Sequence, residues 1–210
     1  MAIRALLLDF NGTISDDEAL LCSILQELFA EQGRPLSIEE YYERLAGLSD
    51  PEIVDLWLGP GHDDVVARKI DLYRERAGDG ATVSPEAREA VRKAAERVPV
   101  VVVSGSARVE VETVLEAAGL IDAVSGVVAA EDVEHGKPAP EGYLRALELL
   151  GIAADHAVAV EDSDVGVAAA KAAGLHCVAV TGTMGPERLG AADEIVPRLD
   201  PELVRRLIPC

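Results

Sequence analysis

The sequence predicts an α/β protein, in which a doubly wound parallel sheet has helices on both faces and a helical cap inserted after the first strand. Short runs of Val, Ala and Leu alternate with helical segments along most of the chain, as in sheets whose parallel strands are joined by crossover helices. Residues 15–80 contain no Val-rich strand and read as helix after helix. The polar motifs follow directly after strands, where open α/β sheets place their ligands.

The core strands are predicted from short apolar runs: Ala5–Phe10, Val98–Val103, Gly126–Ala130, Ala157–Val160, His176–Val180 and Glu194–Val196. The helices between and after them are Pro85–Arg97, Val109–Ala118, Pro140–Leu150, Val165–Ala173 and Pro201–Leu207. Ser84 before Pro85 is a typical helix start, and Gly119 and Gly174 are typical helix stops.

The inserted segment is predicted to be helical throughout, with helices over Asp17–Gln32, Ser37–Leu45, Asp50–Leu58 and Asp63–Ala77. Gly78-Asp79-Gly80 is a plausible hinge at its return to the core. We therefore expect residues 1–14 and 81–210 to form the α/β core and residues 15–80 to form the cap. A helical insertion of this kind suggests a lid over a site.

Charge excludes two classes of partner. The net charge is −19 and is spread along the chain, so nucleic acid and anionic membranes are repelled and neither is expected as a partner. Phosphorylated substrates are repelled too, so a phosphate site must provide its own local positive charge.

The remaining bulk features predict a reduced cytoplasmic protein that is a monomer or a weak homodimer. With 210 residues, 49% of them hydrophobic, the chain can bury a core without a disulfide or a structural metal. Cys22, Cys177 and Cys210 show no pairing pattern and read as free thiols. No signal peptide precedes the first strand, and no apolar run reaches membrane-spanning length.

Two motifs place carboxylates at strand ends. Asp9 leaves the first strand at the tight turn Asn11-Gly12, where it can act as a nucleophile or merely satisfy backbone donors. Glu161 and Asp162 follow another strand, where adjacent carboxylates suit Mg²⁺ or act as an acidic helix cap.

Two further motifs suit an anion. Ser104-Gly105-Ser106 joins a strand to a helix, so its hydroxyl and N–H groups can bind phosphate or form an ordinary N-cap. Lys137, within Gly136-Lys137-Pro138, provides a positive charge in a loop fixed by proline, although a solvated lysine is the commoner case.

Taken together and in this order, the motifs resemble those of the haloacid dehalogenase (HAD) superfamily. GKPAP and EDSDVGVAAAKAAG look like the branch that contains β-phosphoglucomutase and phosphoglycolate-type phosphatases. The resemblance covers about Ile3–Thr13 and Val83–Pro209, whereas the cap matches in position and size more than in sequence. It implies a Rossmann-like core and a Mg²⁺-dependent phosphatase that hydrolyses a small phosphorylated metabolite through an aspartyl-phosphate.

The resemblance also assigns roles. Asp9 would be the nucleophile, and Lys137 would bind the phosphoryl group and neutralise Asp9. Ser104, with backbone groups at Gly12 and Gly105, would bind the same phosphoryl group.

The implied metal set is Mg²⁺ held by Asp9, the backbone carbonyl of Asn11 and Asp162, with Glu161 assisting. These parts act by positioning and by neutralising charge.

Asn11 departs from the family pattern. Phosphatases of the superfamily carry an aspartate at this position as general acid and base, a role worth about 10²–10⁴ in rate. An amide cannot transfer this proton, although its backbone carbonyl can still bind metal. We therefore expect Mg²⁺ binding to be kept and proton transfer to be weakened.

The sequence leaves four explanations open. The substrate has a good leaving group such as an acyl phosphate; another carboxylate, among Asp16, Asp17 and Glu18, transfers the proton; the protein is a slow or non-catalytic phosphate-binding module; or Asn11 was introduced to trap a complex. The three acidic residues also fit an ordinary first helical turn.

Other enzyme classes are less well supported. In the segment 44–50, which resembles the cap specificity loop of β-phosphoglucomutase, Ala46 and Asp50 occupy the positions that are basic in that loop, which disfavours a sugar-phosphate mutase. A metal-free dehalogenase would leave Glu161 and Asp162 without a purpose. Phosphonatase-type cleavage would need Lys69, the only lysine of the cap.

Overall fold

The computed structural model describes residues 2–209. Within them lies a six-stranded parallel sheet with strand order β3-β2-β1-β4-β5-β6, which confirms the predicted doubly wound, Rossmann-like sheet. The strands are β1 Ala5–Leu8, β2 Val100–Val103, β3 Gly126–Val128, β4 Ala157–Glu161, β5 His176–Val180 and β6 Glu194–Val196. Every strand pair is parallel.

The order of the strands reverses at β1, which pairs with β2 on one side and with β4 on the other. Leu8 lies opposite Val102 and Val160 in this register. The residues that follow the three strands therefore leave the sheet at one edge. A site is expected at such a reversal, because the flanking crossovers lie on opposite faces and leave a crevice.

Helices cover both faces of the sheet: α5 Pro85–Ala95, α6 Arg108–Ala117, α7 Glu141–Leu150, α8 Asp164–Ala172 and α9 Pro201–Leu207. The predicted cap at Ser84 is confirmed, because its hydroxyl accepts from the backbone N–H of Ala87 at 3.1 Å. Three short 3₁₀ turns, Ile121–Ala123, Ala130–Asp132 and Ala154–His156, were not predicted, since three-residue segments show no periodicity.

Residues 15–80, called the helical insert below, contain α1 Glu18–Glu31, α2 Ile38–Arg44, α3 Asp50–Leu58 and α4 Asp63–Ala77. These match the predicted helices to within a few residues. The insert has its own apolar contacts: the rings of Phe29 and Trp57 stack with centroids 6.1 Å apart, and the Trp57 indole donates to the Arg34 carbonyl at 2.8 Å.

The insert lies close against the polar edge of the sheet. A Cβ on Gly105 would come within 3.2 Å of the Ser49 Cα, and one on Gly47 within 2.7 Å of the Ser163 hydroxyl oxygen. Gly47 also has a φ of 88°, which a side chain would strain. Glycine at these positions therefore allows the insert to approach the loops that follow β2 and β4.

The free-thiol prediction holds for Cys22 and Cys177, which are buried and unpaired, while Cys210 lies outside the described residues. Over residues 2–209, none of the helices has the length and apolarity needed to span a bilayer.

Candidate active site

Asp9 is the first residue after β1, and its backbone continues the sheet by donating to the Val160 carbonyl at 2.9 Å. The residue is 6% exposed. The Lys137 ammonium donates to Asp9 Oδ1 at 2.5 Å, although these residues are 128 positions apart. The structure thus brings together the predicted nucleophile and the predicted phosphate-binding lysine.

The turn after Asp9 requires glycine at position 12 for two reasons. Gly12 has a φ of 73°, a region that L side chains rarely adopt. A Cβ there would also lie 1.9 Å from Asp162 Oδ2. The close approach lets the loops after β1 and β4 place the Asp9 and Asp162 carboxylates side by side.

Lys137 is held by three oxygens. Besides Asp9, its ammonium lies 2.6 Å from Glu161 Oε1 and donates to the Val103 carbonyl at 3.2 Å. Burial alone would lower the pKa of Lys137, but Asp9 and Glu161 outweigh burial and raise that pKa above its usual range. The Lys137 side chain therefore stays positively charged. It provides the local positive charge that a phosphate site needs in a protein with a net charge of −19.

Asp9, Glu161 and Asp162 form a buried group whose possible ligand oxygens lie within 4.8 Å of one another. Asp9 Oδ2 and Asp162 Oδ2 are buried without a hydrogen-bond partner among the described residues. Burial raises the pKa of Asp9 to about 7 against the opposing effect of Lys137, and burial followed by Asp9 raises that of Asp162. Two unpartnered carboxylate oxygens side by side fit a hard divalent cation such as Mg²⁺.

Both carboxylate oxygens of Glu161 have partners, whereas Asp9 and Asp162 each keep one unpartnered oxygen. Its Oε1 accepts from the Tyr143 hydroxyl at 2.6 Å as well as pairing with Lys137, and its Oε2 accepts from the Asp162 N–H at 3.3 Å. Glu161 therefore holds Lys137, and a metal ion bound here would contact mainly the free oxygens of Asp9 and Asp162. Tyr143, absent from the sequence expectations, lies in a helix with no polar motif around it.

The predicted phosphate loop, Ser104-Gly105-Ser106, lies beside the Asn11 side chain. Ser104 Oγ accepts from the Ser106 N–H at 3.0 Å, while the Ser106 hydroxyl donates to Asn11 Oδ1 at 2.8 Å. The Ser104 hydroxyl is 3.5 Å from the same Asn11 oxygen. Gly105 and Ser106 line the adjoining cavity. Ser106 belongs to the predicted Ser104-Gly105-Ser106 motif, but no role was predicted for it.

The Asn11 side chain is fixed at both ends. While its Oδ1 accepts from Ser106, its Nδ2 donates to Asp17 Oδ2 at 3.0 Å. The Tyr73 hydroxyl, from α4 of the insert, donates to the same carboxylate oxygen. Burial raises the pKa of Asp17. A carboxylate thus lies one hydrogen bond away from the Asn11 amide, at the start of the insert.

The three acidic candidates for proton transfer differ in placement. Asp16 is exposed. Asp17 accepts from the Asn11 amide and is not among the residues that line the cavity. Glu18 is 8% exposed, lines the cavity and accepts from the Tyr41 hydroxyl at 2.7 Å. Burial raises the pKa of Glu18 to about 7.

The cavity itself lies between the core and the insert. Its lining residues from the core are Asp9, Asn11, Gly105, Ser106, Lys137, Asp162 and Ser163. Those from the insert are Glu18, Leu21, Leu25, Tyr41, Gly47, Leu48, Asp50, Ile53 and Lys69. A molecule in this cavity would contact both parts at once.

Comparison with known proteins agrees with this geometry. The sequence profile of haloacid dehalogenase-like hydrolases matches residues 3–174. Validoxylamine A 7'-phosphate phosphatase of Streptomyces hygroscopicus subsp. limoneus is 29% identical over 201 residues, covering 93% of this chain and 94% of that protein. Hexitol phosphatase B of Escherichia coli strain K12 is 30% identical over 185 residues, covering 85% and 83%.

Among solved structures, a mutant of CbbY from Rhodobacter sphaeroides in complex with xylulose-(1,5)-bisphosphate superposes with a TM-score of 0.84 at 27% identity, covering 94% of this chain and 95% of that one. β-Phosphoglucomutase from Clostridium difficile gives a TM-score of 0.84 at 20% identity, covering 98% and 97%, a similarity of fold. The profile match spans most of the chain, and the relatives are named as phosphatases. The chain belongs to the haloacid dehalogenase-like hydrolases and is a phosphohydrolase.

Proposed function

We propose that this protein is a Mg²⁺-dependent phosphatase that hydrolyses a small phosphorylated metabolite through an aspartyl-phosphate on Asp9. The observation that carries the proposal is the pair of buried, unpartnered oxygens on Asp9 and Asp162 beside the Lys137 ammonium. By their names, the two sequence relatives act on validoxylamine A 7'-phosphate and on hexitol phosphates, which supports a small phosphorylated substrate.

In this proposal each part has one task. Asp9 Oδ1, the oxygen that Lys137 holds, attacks phosphorus, which leaves Oδ2 for the metal. The bond from phosphorus to the alcohol oxygen breaks, and water then hydrolyses the aspartyl-phosphate, which releases phosphate and restores Asp9. Lys137 holds Asp9 in place and neutralises charge on the phosphoryl oxygens. Ser104 and the N–H groups of the loop at Gly105 and Gly12 bind those oxygens.

Asp9, Asp162 and the Asn11 carbonyl would hold Mg²⁺, with Glu161 beside them. The ion supplies positive charge against the transferring phosphoryl group. The helical insert acts as the cap that encloses the substrate and excludes water, because its residues complete the cavity over Asp9.

The test is phosphate release from a panel of phosphorylated metabolites and 4-nitrophenyl phosphate, with Mg²⁺ or with a chelator. Asp9→Asn should abolish release, because a neutral amide cannot replace the attacking carboxylate. Asp122→Asn is the matched control, since it makes the same change at an exposed position that does not line the cavity and should leave turnover unchanged. Turnover of Asp9→Asn near that of the control would rule out the covalent mechanism.

A phosphate-binding module without turnover is the alternative that Asn11 supports, because the side chain at this position cannot transfer a proton. It predicts that phosphate and Mg²⁺ bind but that no ester in the panel is hydrolysed, even 4-nitrophenyl phosphate, whose leaving group needs no acid.

A further inference from the structure

Lys69 is the cation that the insert contributes to the cavity, and it is fully paired. The side chain is 1% exposed. Its ammonium lies 2.7 Å from Asp50 Oδ1, 2.8 Å from Asp50 Oδ2, and 3.0 and 3.1 Å from the two oxygens of Glu110. Burial would lower the pKa of Lys69, but Asp50 and Glu110 raise it above its usual range.

This pairing also joins the insert to the core. Asp50 and Lys69 belong to α3 and α4 of the insert, whereas Glu110 belongs to α6, the helix that follows the phosphate loop. Glu110 is 0% exposed, and its Oε2 accepts from the Ala107 N–H at 3.2 Å. One ammonium thus faces two carboxylates, so the cluster carries no net positive charge.

The rest of the cavity adds no free cation. Among the described residues that line it, the basic side chains are Lys69 and Lys137. Lys137 is paired with Asp9 at the reacting end. On the insert side, the remaining ionisable carboxyl is Glu18, beside the apolar side chains of Leu21 and Leu25.

We propose, on the basis of the phosphatase function above, that the alcohol part of the substrate is an uncharged or cationic polyol, without a carboxylate or a second phosphate. A second anion would face Asp50, and above about pH 7 also the ionised Glu18, with no unpaired cation among the described lining residues to meet it. Like charges brought together cost several kcal/mol. Hydroxyl groups can instead donate to these carboxylates, and the carbon chain can pack on Leu21, Leu25 and Ile53.

The same geometry excludes a second phosphate subsite. Asp50 holds Lys69, the one lysine of the insert. A bisphosphate, which a mutase must bind, would have to break the pairing of Lys69 with Asp50 and Glu110 inside the protein. The cavity therefore selects monophosphates.

The experiment measures inhibition of 4-nitrophenyl phosphate hydrolysis by a matched pair, glucitol 6-phosphate and 6-phosphogluconate. The two compounds differ at one terminal carbon, which carries a hydroxyl group in the first and a carboxylate in the second. Inhibition constants report binding whether or not Asn11 slows turnover of alkyl esters. We expect glucitol 6-phosphate to bind about 10²-fold more tightly, and glucose 1,6-bisphosphate to bind no better than 6-phosphogluconate.

Variants locate the cause. Asp50→Asn removes one carboxylate of the cluster and should reduce the discrimination about tenfold, since each lost like charge is worth about one factor of ten. With the inhibition constants measured at about pH 8, where Glu18 is ionised, Glu18→Gln should act in the same direction. This variant leaves Lys69 unchanged, so it tests the proposal even if Asp50→Asn does not fold. Glu31→Gln removes the same charge from an exposed pair with Arg68 and should leave the discrimination unchanged.

The outcomes separate the two proposals. Hydrolysis of 4-nitrophenyl phosphate with equal inhibition constants for the matched pair would overturn the substrate class and leave the phosphatase function standing. Absence of hydrolysis of every ester would overturn the phosphatase function, and the substrate class with it.

Discussion

Replacing Asn11 with aspartate tests whether the missing acid limits the reaction. In the structure, Asn11 Nδ2 donates to Asp17 Oδ2 at 3.0 Å, so Asn11→Asp would place a second carboxyl oxygen against a buried carboxylate. Two unit charges at that distance repel by about 5 kcal/mol at an effective dielectric constant of about 20. One pKa unit corresponds to about 1.4 kcal/mol, so the repulsion is worth about 4 units.

The new carboxyl and Asp17 would therefore share one proton through neutral pH, as paired carboxylates do. That proton is what a leaving alkoxide needs. We expect Asn11→Asp to raise kcat for an alkyl ester such as glucitol 6-phosphate by about 10²-fold. Hydrolysis of 4-nitrophenyl phosphate should change less, because its leaving group needs no acid, and KM should move little.

The assay is phosphate release against pH for both esters, in the native chain and in two variants. The double variant Asn11→Asp with Asp17→Asn restores one amide beside one carboxyl, with their positions exchanged. It should keep the activity on alkyl esters, with the pH dependence moved to lower pH because the repulsion is gone.

Equal rates for the alkyl and aryl esters in the native chain, with no gain in Asn11→Asp, would refute this reasoning. Proton transfer would then belong to another residue, and Glu18, which lines the cavity, would be the first to test.

Three further outcomes are expected. Asp162→Ala should lose both Mg²⁺-stimulated turnover and the rise in Tm on adding Mg²⁺, because it removes one of the two unpartnered oxygens; a variant that keeps either would exclude this ligand. Tyr73→Phe removes a donor to Asp17 and should lower Tm by several degrees, for a lost buried hydrogen bond is worth about 1–3 kcal/mol; an unchanged Tm would mean the bond contributes nothing. Because burial raises the folded pKa of Glu18 from 4.5 to about 7, the folded state keeps a proton that the unfolded state loses, so without Mg²⁺ the free energy of unfolding should fall as pH rises from about 4.5 to about 7. Denaturant unfolding at several pH values measures this, and a slope equal to that of Glu18→Gln would contradict it.

The sequence predicted the architecture because its signals are local. The strand signals in the runs Val98–Val103 and His176–Val180, and the glycines that end helices, each come from a few neighbouring residues. Their apolar pattern determines strand or helix without reference to the rest of the chain. The predicted strand Ala5–Phe10 was longer than β1, Ala5–Leu8, because the apolar Phe10 continues the hydrophobic pattern after the backbone has entered the turn.

Gathering the site at one edge of the sheet was predictable for the same reason. Asp9, Ser104 and Asp162 each follow a strand directly, and parallel strands end together. Lys137 needed the family resemblance, since nothing local distinguishes it from a solvated lysine.

The partners of the insert could not be predicted, because they depend on how helices far apart in sequence pack. Lys69 and Glu110 are separated by 41 positions, and neither lies in a motif. In sequence, Lys69 suggested at most a Schiff-base lysine. In the structure its ammonium is enclosed by carboxylates, which keep it protonated and therefore not nucleophilic.

The insert also explains why the Asn11 amide nitrogen is not left without a hydrogen-bond partner. A neutral serine hydroxyl at position 17 would be a weaker acceptor for the Asn11 amide than a carboxylate is. Asp17 provides a full carboxylate, and the Tyr73 hydroxyl supports it from α4. Position 11 is therefore coupled to the insert through Asp17 and Tyr73, and a change there acts on both. Above the pH at which the two carboxyls lose their shared proton, Asn11→Asp alone should thus loosen the contact between core and insert, whereas the double variant with Asp17→Asn should keep it. Hydrogen exchange at α4 measures the difference, and equal protection in the two variants would show that the pair does not hold the insert.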